Sequence, residues 1–561
     1  MKHTLPLLAA LVAAGAQSQA LAQTRQIVPP AQNLVSQPNP LAQALLTDED
    51  SMMGTTTAAT NAGWTATPLL TVSESVAGYQ PVGLFDGLGA FPMGGKRARI
   101  LVNHELGAGS GAPYTLANGT TLTGARMSQF VVRRHKQGHG HHHGGGANQS
   151  QWRTSVQSGG LAFDTIYDRA GVIVTDPAQI NETGNAIDGF SRFCSATSVL
   201  GGTYGFFDDI FFTGEESSVP FHPHGGSIWA LDVDHETLWA VPALGRGAWE
   251  NVCPLSTGNP DTVALLCGDD TSGAPLYLYV GQKNAIGDAS FLDRNGLAVG
   301  TVYAWRATSG DLDPESFHGV NQARSGEWVE LENQNVGLAG TAGYDAQGYA
   351  NSDTLQAQAD SFGCFSFSRP EDLSVNPLDG TQAVFASTGR GSAYPSDNWG
   401  TLYAVDVDFQ NMTADLVILH DADGLVIPDA GIRSPDNVCW SGNGKIYVQE
   451  DKSTSPGSLF GGATGIEASV WQLDPVTRAF TRIGEIDRSV VAPAGTTDSG
   501  VGSIGHWESS GVLDVTEFFE TAPGERLLIL DVQAHGILDG PIAADNLVEG
   551  GQLLFLSKIG Q

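Results

Sequence analysis

Apolar residues fall in short strand-length runs along most of the chain, and two patterns recur. One is an apolar run that ends in polar or acidic residues. The other opens on glycine in four of six cases, on Ala468 and Met127 in the other two, and continues as x-apolar-x-apolar. Bounded by clusters of glycine, proline, asparagine and serine, such runs predict β-strands. Runs of the first kind span residues 98–105, 209–216, 275–283, 383–390, 445–451 and 526–535. Each is followed by one of the second kind, at 127–133, 226–232, 300–305, 400–406, 468–474 and 550–556. Helix signals are few. Six such pairs predict an all-β chain whose small sheets repeat radially and so hide their edges. The expected fold is a single six-bladed β-propeller with long inter-strand insertions. A further strand precedes several pairs, at 370–376, 435–440 and 508–514. These begin polar and turn apolar, as innermost strands would if their starts faced a central opening. The uneven spacing of the units keeps two packed β-sandwiches open as the alternative.

The organisation outside the strands is simpler. Lys2 and His3 precede an apolar run from Leu5 to Gly15, and small residues end at Ala20-Leu21-Ala22. This reads as a signal peptide over residues 1–22. The run is shorter than the ~20 residues that cross a bilayer, so no membrane span is expected. No Arg-Arg pair precedes it, which points to Sec export and a periplasmic or extracellular location. Residues 23–61 are rich in Gln, Pro, Ala, Thr and Ser and read as a leader with at most one docked turn. Residues 62–561 form the propeller, interrupted at 134–148 by a His/Gly-rich loop. Its clustered imidazoles would capture transition metals, or simply sit in solvent.

Acids outnumber bases 60 to 27, for a formal charge of −33. Nucleic acid is an unsuitable partner, because phosphate backbones are held by Lys and Arg patches. The charge suits either a protein that gathers cations on carboxylates or one kept soluble outside the cell. Five cysteines leave at least one unpaired, and Cys253 with Cys267 is the most readily imagined disulfide.

Candidate chemistry lies where acids cluster at strand ends: Asn103-His104-Glu105, Glu215-Glu216, Glu250-Asn251, Asp269-Asp270, Glu371-Asp372, Asp436-Asn437, Glu450-Asp451 and Glu508. A pleated strand delivers such residues to one rim of its sheet. Crowding that many carboxylates without counter-charge costs several kcal/mol per ion, and bound cations would remove the cost. Singly, each cluster reads equally well as a turn cap. Cys194 is either a thiolate ligand, which would favour iron or zinc over calcium alone, or a buried thiol.

Phe367-Ser-Arg-Pro-Glu-Asp-Leu373 resembles the PhoX-type alkaline phosphatase family, together with Gly214-Glu-Glu216, residues 244–250, Leu266-Cys-Gly-Asp-Asp270 and Ser434-Pro-Asp-Asn437. The resemblance implies a six-bladed propeller that binds Fe3+ and Ca2+ and hydrolyses phosphate monoesters. Carried over position by position, it makes Cys194, Glu216, Glu250 and Glu371 iron ligands. Asp270, Asp372, Asp436, Asn437 and Glu508 become calcium candidates. The sequence departs from the family pattern at Gly214, where a cysteine is usual, and at Trp249, where a histidine is usual. Arg369 is the expected phosphate clamp beside Glu371, since a guanidinium fork matches two phosphate oxygens. Lys283 and Arg390, each ending an inner strand, are expected to assist; a salt bridge is the alternative for all three cations. The expected partners are small-molecule phosphate esters and metal ions, and the expected state is a monomer. A phosphodiesterase and a non-catalytic, calcium-stabilised binding module are the competing readings. No nucleotide-binding glycine loop, zinc-protease histidine motif or nucleophile elbow occurs.

Overall fold

Both faces of nearly every strand are apolar, so each small sheet must be covered on both sides, and a ring of sheets achieves this. The computed structural model describes residues 46–55, 63–136, 152–180, 189–217 and 225–560. The first blade runs outward from the axis as Phe85–Gly94, Arg97–His104, Arg126–Lys136 and Trp152–Leu161. The innermost strands of the next five blades are Phe193–Val199, Trp249–Leu255, Pro370–Val375, Pro435–Trp440 and Glu508–Asp514. Each innermost strand packs against the innermost strands on either side, and the sixth packs against the first. The ring is thereby closed with six blades, and the sandwich alternative is set aside.

Within each blade consecutive strands are antiparallel neighbours, as short connections require; the exception is Thr165–Tyr167, which joins the rim of the second blade parallel to Thr237–Ala240. In five blades the second and third strands are the paired runs of the sequence pattern, displaced by a few residues at most: Ile210–Glu215 with Ile228–Asp232, for example, or Ile446–Glu450 with Ser469–Leu473. In the third blade the pattern lies one strand further out: Thr262–Asp269 is the second strand, and the paired runs are the third and fourth, Tyr277–Gln282 and Gly300–Ala307. The third and fourth blades also join at their rims. Ala323–Leu331 pairs with Thr413–Asp421, making one nine-stranded sheet. An insertion after the third blade carries the helix Ser352–Ser361, capped by the Asn351 side chain.

The hydrophobic core lies between blades, not inside any one of them. Along Arg97–His104, Ile100 and Val102 belong to the cluster shared with the sixth blade, while Leu101 points the other way, toward Phe211 and Trp229 of the second. This period-two division is what a strand buried on both faces produces. Closure comes from the N-terminal side. Thr65–Thr71, before the first blade, forms the outermost strand of the sixth by pairing with Gly550–Ile559. Part of the expected leader docks too: Met53–Gly54 extends the fifth blade against Glu485 and Ile486, and Met52 is fully buried.

The expected signal peptide, the leader up to residue 45 and residues 137–148 of the His/Gly-rich loop lie outside the described residues. Among the described residues no helix is long and apolar enough to cross a membrane. The expected Cys253–Cys267 disulfide is absent, and all five cysteines are free. Cys253 stands opposite Leu266 and Cys267 opposite Val252, so the two thiols leave neighbouring strands on opposite faces. Cys253 enters the core toward the fourth blade and Cys267 the core toward the second.

Candidate metal centre

Antiparallel pairing sets the start of each innermost strand beside the end of the second strand, on one rim of the ring. Both positions carry acids or soft donors in most blades: Asp86 with Glu105, Cys194 with Glu216, Glu250 with Asp270, Asp436 with Asp451, and Glu508 with His535. In the fourth blade Glu371 is joined by Arg369. All of these except Asp86 line one cavity of about 530 Å³ at the mouth of the central channel, which Arg192, Lys452 and His506 also line.

Local backbone geometry turns these side chains inward. Five innermost strands shift register just after their first residue, between Phe85 and Leu88, Phe193 and Ala196, Trp249 and Val252, Pro370 and Leu373, and Pro435 and Val438. Such a bulge re-aims consecutive side chains and is common beside active sites. Two residues before Asp86, Cys194, Glu371 and Asp436, the backbone is left-handed at Leu84, Arg192, Arg369 and Ser434, with φ of 52°, 51°, 77° and 40°. None is glycine, and each such conformation costs on the order of 1–3 kcal/mol. The same strain at four blades accompanies the same task, presenting a ligand to the axis.

Three overlapping triads result: Asp86, Glu105 and Cys194; Cys194, Glu216 and Glu250; Glu250, Glu371 and Asp436. In each, one donor atom per residue lies within 4.8 Å of the others. Glu250 is fully buried; its Oε1 accepts the Ser195 N–H at 3.2 Å and its Oε2 has no partner, nor has Oδ1 of Asp436. Burial, then the charges of Glu105, Glu508 and Glu250, push the Asp86 carboxyl well up. Burial and neighbouring carboxylates likewise raise Glu371 and Asp436. Burial and Asp451 raise Glu508 to about 8. The Cys194 thiol donates to Asp86 at 3.1 Å and is pushed well up by burial and by Asp86. Burial and mutual repulsion thus disfavour the ionised forms of these carboxyls in the absence of a cation, which is the signature of a donor set built for one. The residues fit bound metal ions, with one sulfur and otherwise oxygen donors.

The permanent cations of the cavity are mostly committed to its acids. Arg192 bridges Glu105 at 2.9 Å and Glu216 at 2.5 Å. Arg369 grips Asp270 with two bonds, at 2.6 and 2.7 Å, touches Glu371 at 2.9 Å and donates to Ser453. Burial raises the Asp270 carboxyl, but the charge and bonds of Arg369 override it and hold the carboxyl below its ordinary value. Glu371 has only one contact with the same guanidinium and stays raised.

Other candidates lie elsewhere. Asp372 and Asn437 point away from the cavity, across the channel beneath it. Asp372 accepts from Asn251 at 2.5 Å and from the Leu373 and Val438 amides at 2.7 and 2.8 Å. Asn437 donates to Ser195 and accepts from Ser510 at 2.7 Å and the Gly511 amide at 2.9 Å. Their polar atoms are engaged, and they form a hydrogen-bonded floor, not part of the donor set. Each follows a cavity-lining acid by one residue, so sequence adjacency could not separate the two. Lys283 is at the opposite face of the ring, where its Nζ donates to the Gly205 carbonyl at 2.8 Å. Its strand runs away from the rim that the preceding strand reaches at Asp269. Arg390 stays near the mouth but does not line the cavity, and its guanidinium meets Thr454. His104 is fully buried between the Gly83 carbonyl and Ser128, and burial drops its pKa to about 3. Asp86 and Arg192 are residues that sequence reasoning missed. Asp86 opens a segment that turns from polar to apolar, the same signal that marked the later innermost strands.

The family model of alkaline phosphatase PhoX matches residues 228–487. The resemblance read from the sequence is shown. The PhoX match contains Glu250, Asp270, Arg369, Glu371 and Asp436; Cys194, Glu216 and Glu508 lie outside it. A solved structure of Pseudomonas fluorescens PhoX in complex with vanadate, a transition state analogue, is similar at 17% identity and a TM-score of 0.57. The similarity covers 92% of this chain and 97% of that one, and it shows a shared PhoX fold. A putative hydrolase from Bacteroides ovatus aligns over 86% of this chain and 87% of its own, at 9% identity and a TM-score of 0.30. No curated protein matches the sequence.

Proposed function

We propose that this protein is a metal-dependent phosphatase that releases inorganic phosphate from phosphate monoesters. The observation that carries the reading is the trio of overlapping donor triads hinged on Cys194 and Glu250 at the mouth of a propeller channel. The PhoX family match supports phosphoric ester hydrolysis as the reaction. The donor chemistry supports unlike ions: the triads containing Cys194 suit iron, and the all-oxygen triad of Glu250, Glu371 and Asp436 suits calcium. Bound there, such ions supply charge that holds phosphoryl oxygens and lowers the pKa of an attacking water. The chain's own contribution is to pre-position: the bulged strands aim the ligands, Arg192 orients Glu216, and Arg369 orients Asp270 and Glu371. The residue 1–22 pattern supports export to the periplasm or beyond, with the protein acting there as a monomer.

The test is elemental analysis of the purified full chain, paired with monoester and diester assays before and after chelation. Iron and calcium in the protein, with monoester turnover that chelation abolishes and calcium restores, is the expected result. Turnover indifferent to chelation would refute the metal-dependent mechanism, and a stronger preference for diesters would refute the substrate class.

A further inference from the structure

Ions bound among the triads would supply charge within the cavity, but its two arginines add little toward an anion approaching from outside. A phosphate ester is anionic, the chain carries −33, and approach requires local positive charge facing outward. All three donor nitrogens of Arg369 are engaged, by Asp270, Glu371 and Ser453. Arg192 is shared between Glu105 and Glu216. His535 is held by Glu549 at 2.6 Å and lies 3.5 Å from Glu508.

Lys452 is different. It lines the same cavity, and among the described residues its ammonium makes no ion pair. It donates only to neutral acceptors, the Ile504 carbonyl at 2.8 Å and the Ser503 hydroxyl at 3.2 Å. Of its three N–H donors, one therefore has no protein acceptor among the described residues; Nη1 of Arg192 shows none either, but that guanidinium is shared by two carboxylates and the Lys452 ammonium is paired with none. The side chain is also held in place. Gly505, at φ +72°, passes so close that a Cβ there would lie 3.1 Å from the lysine Cβ. The Gly505 amide is itself tied to Glu467 at 2.5 Å, and Arg488 pins the base of that loop to Asp498 and Glu467. A half-buried ammonium, braced by one loop and left without an anion at the entrance to an acidic metal centre, is a site waiting for an anion.

We infer that Lys452 is the side chain that grips the phosphoryl group of the substrate, while Arg369, the residue that chemistry first suggests, acts as a positioning residue for Asp270 and Glu371. The inference rests on the phosphatase reading and names the substrate contact within it.

The experiment compares wild type with Lys452→Gln, Lys452→Met and Lys452→Arg, all metal-loaded. Inorganic phosphate is titrated calorimetrically, metals are counted by elemental analysis, and monoester kinetics are recorded. Neutralising Lys452 is expected to weaken phosphate binding about 10-fold or more, the size of one charged hydrogen bond, and to raise KM correspondingly with metal content intact. Lys452→Arg is expected to recover most of the affinity. Lys452→Met keeps the apolar stem and guards against a folding defect in the glutamine variant. Unchanged phosphate affinity in both neutral variants would overturn the assignment, as would a wild type that binds no phosphate. A wild type that binds phosphate through Lys452 yet turns over no ester would sink the phosphatase reading alone.

Discussion

Removing metal from the centre should invert the usual response of stability to alkaline pH. Without cations burial raises most of the buried carboxyls, and Glu508 is pushed up to about 8 from an ordinary 4.5 by burial and the charge of Asp451. Below about pH 4.5 the folded and unfolded chains both bind this proton and no penalty exists. Between 4.5 and 8 the unfolded chain has lost it while the folded one retains it, so the folded state binds more protons and stability falls as pH rises. Above 8 the loss is complete. At about 1.4 kcal/mol per pH unit, this one carboxyl contributes roughly 4–5 kcal/mol of destabilisation across the window. Asp86, Glu371 and Asp436 are raised as well and add in the same direction. With metals bound as proposed, Asp86, Glu371 and Asp436 would be ionised ligands in the folded state and the positive charge would favour ionised Glu508 beside them, so the slope should flatten. The assay is denaturant unfolding at intervals from pH 5 to pH 9, with chelated and metal-loaded protein side by side. Parallel pH profiles for the two forms, or a chelated form as stable at pH 9 as at pH 5, would refute the reasoning.

Glu250→Gln removes the corner shared by two triads. It should lower metal content and cut turnover by more than the 10–100-fold typical of an outer-shell partner, measured by elemental analysis and kcat. Asp372→Ala should leave the metal count unchanged while costing on the order of 1–3 kcal/mol in denaturant stability, because two backbone amides and Asn251 lose their acceptor; loss of metal instead would return Asp372 to the donor set. Glu450→Ala takes from the fully buried Arg433 the carboxylate that holds it at 2.6 and 3.0 Å and leaves Asp429 alone to pair with it, at 3.2 Å; it should cost about 3 kcal/mol, the low end for a broken buried pair. Gly87→Ala would set a Cβ 2.4 Å from the Ala196 amide nitrogen and 2.6 Å from the Cys194 carbonyl. Roughly 1–3 kcal/mol of stability and a measurable part of the bound iron should go with it.

Much of this architecture was legible before folding, because a doubly buried strand cannot hide its apolar pattern. The paired runs at 209–232 and 445–474 named the middle strands of their blades, and the polar starts of 370–376, 435–440 and 508–514 named innermost strands. The acids of the site were visible for the same reason: antiparallel pairing sends the start of one strand and the end of the next to one rim, so Glu250 with Asp270 and Asp436 with Asp451 were bound to meet. Tertiary structure decided the rest. Whether Glu371 or its neighbour Asp372 faces the cavity depends on a bulge, and a one-residue change of facing has no signature in composition. Which cation is spent on a carboxylate and which remains free depends on contacts between blades far apart in the chain, as Arg369 with Asp270 and Lys452 with Ile504 demonstrate. Patterning of single strands specifies what each blade must bury, whereas the charge balance at the axis is a sum over all six and exists only once the ring has closed.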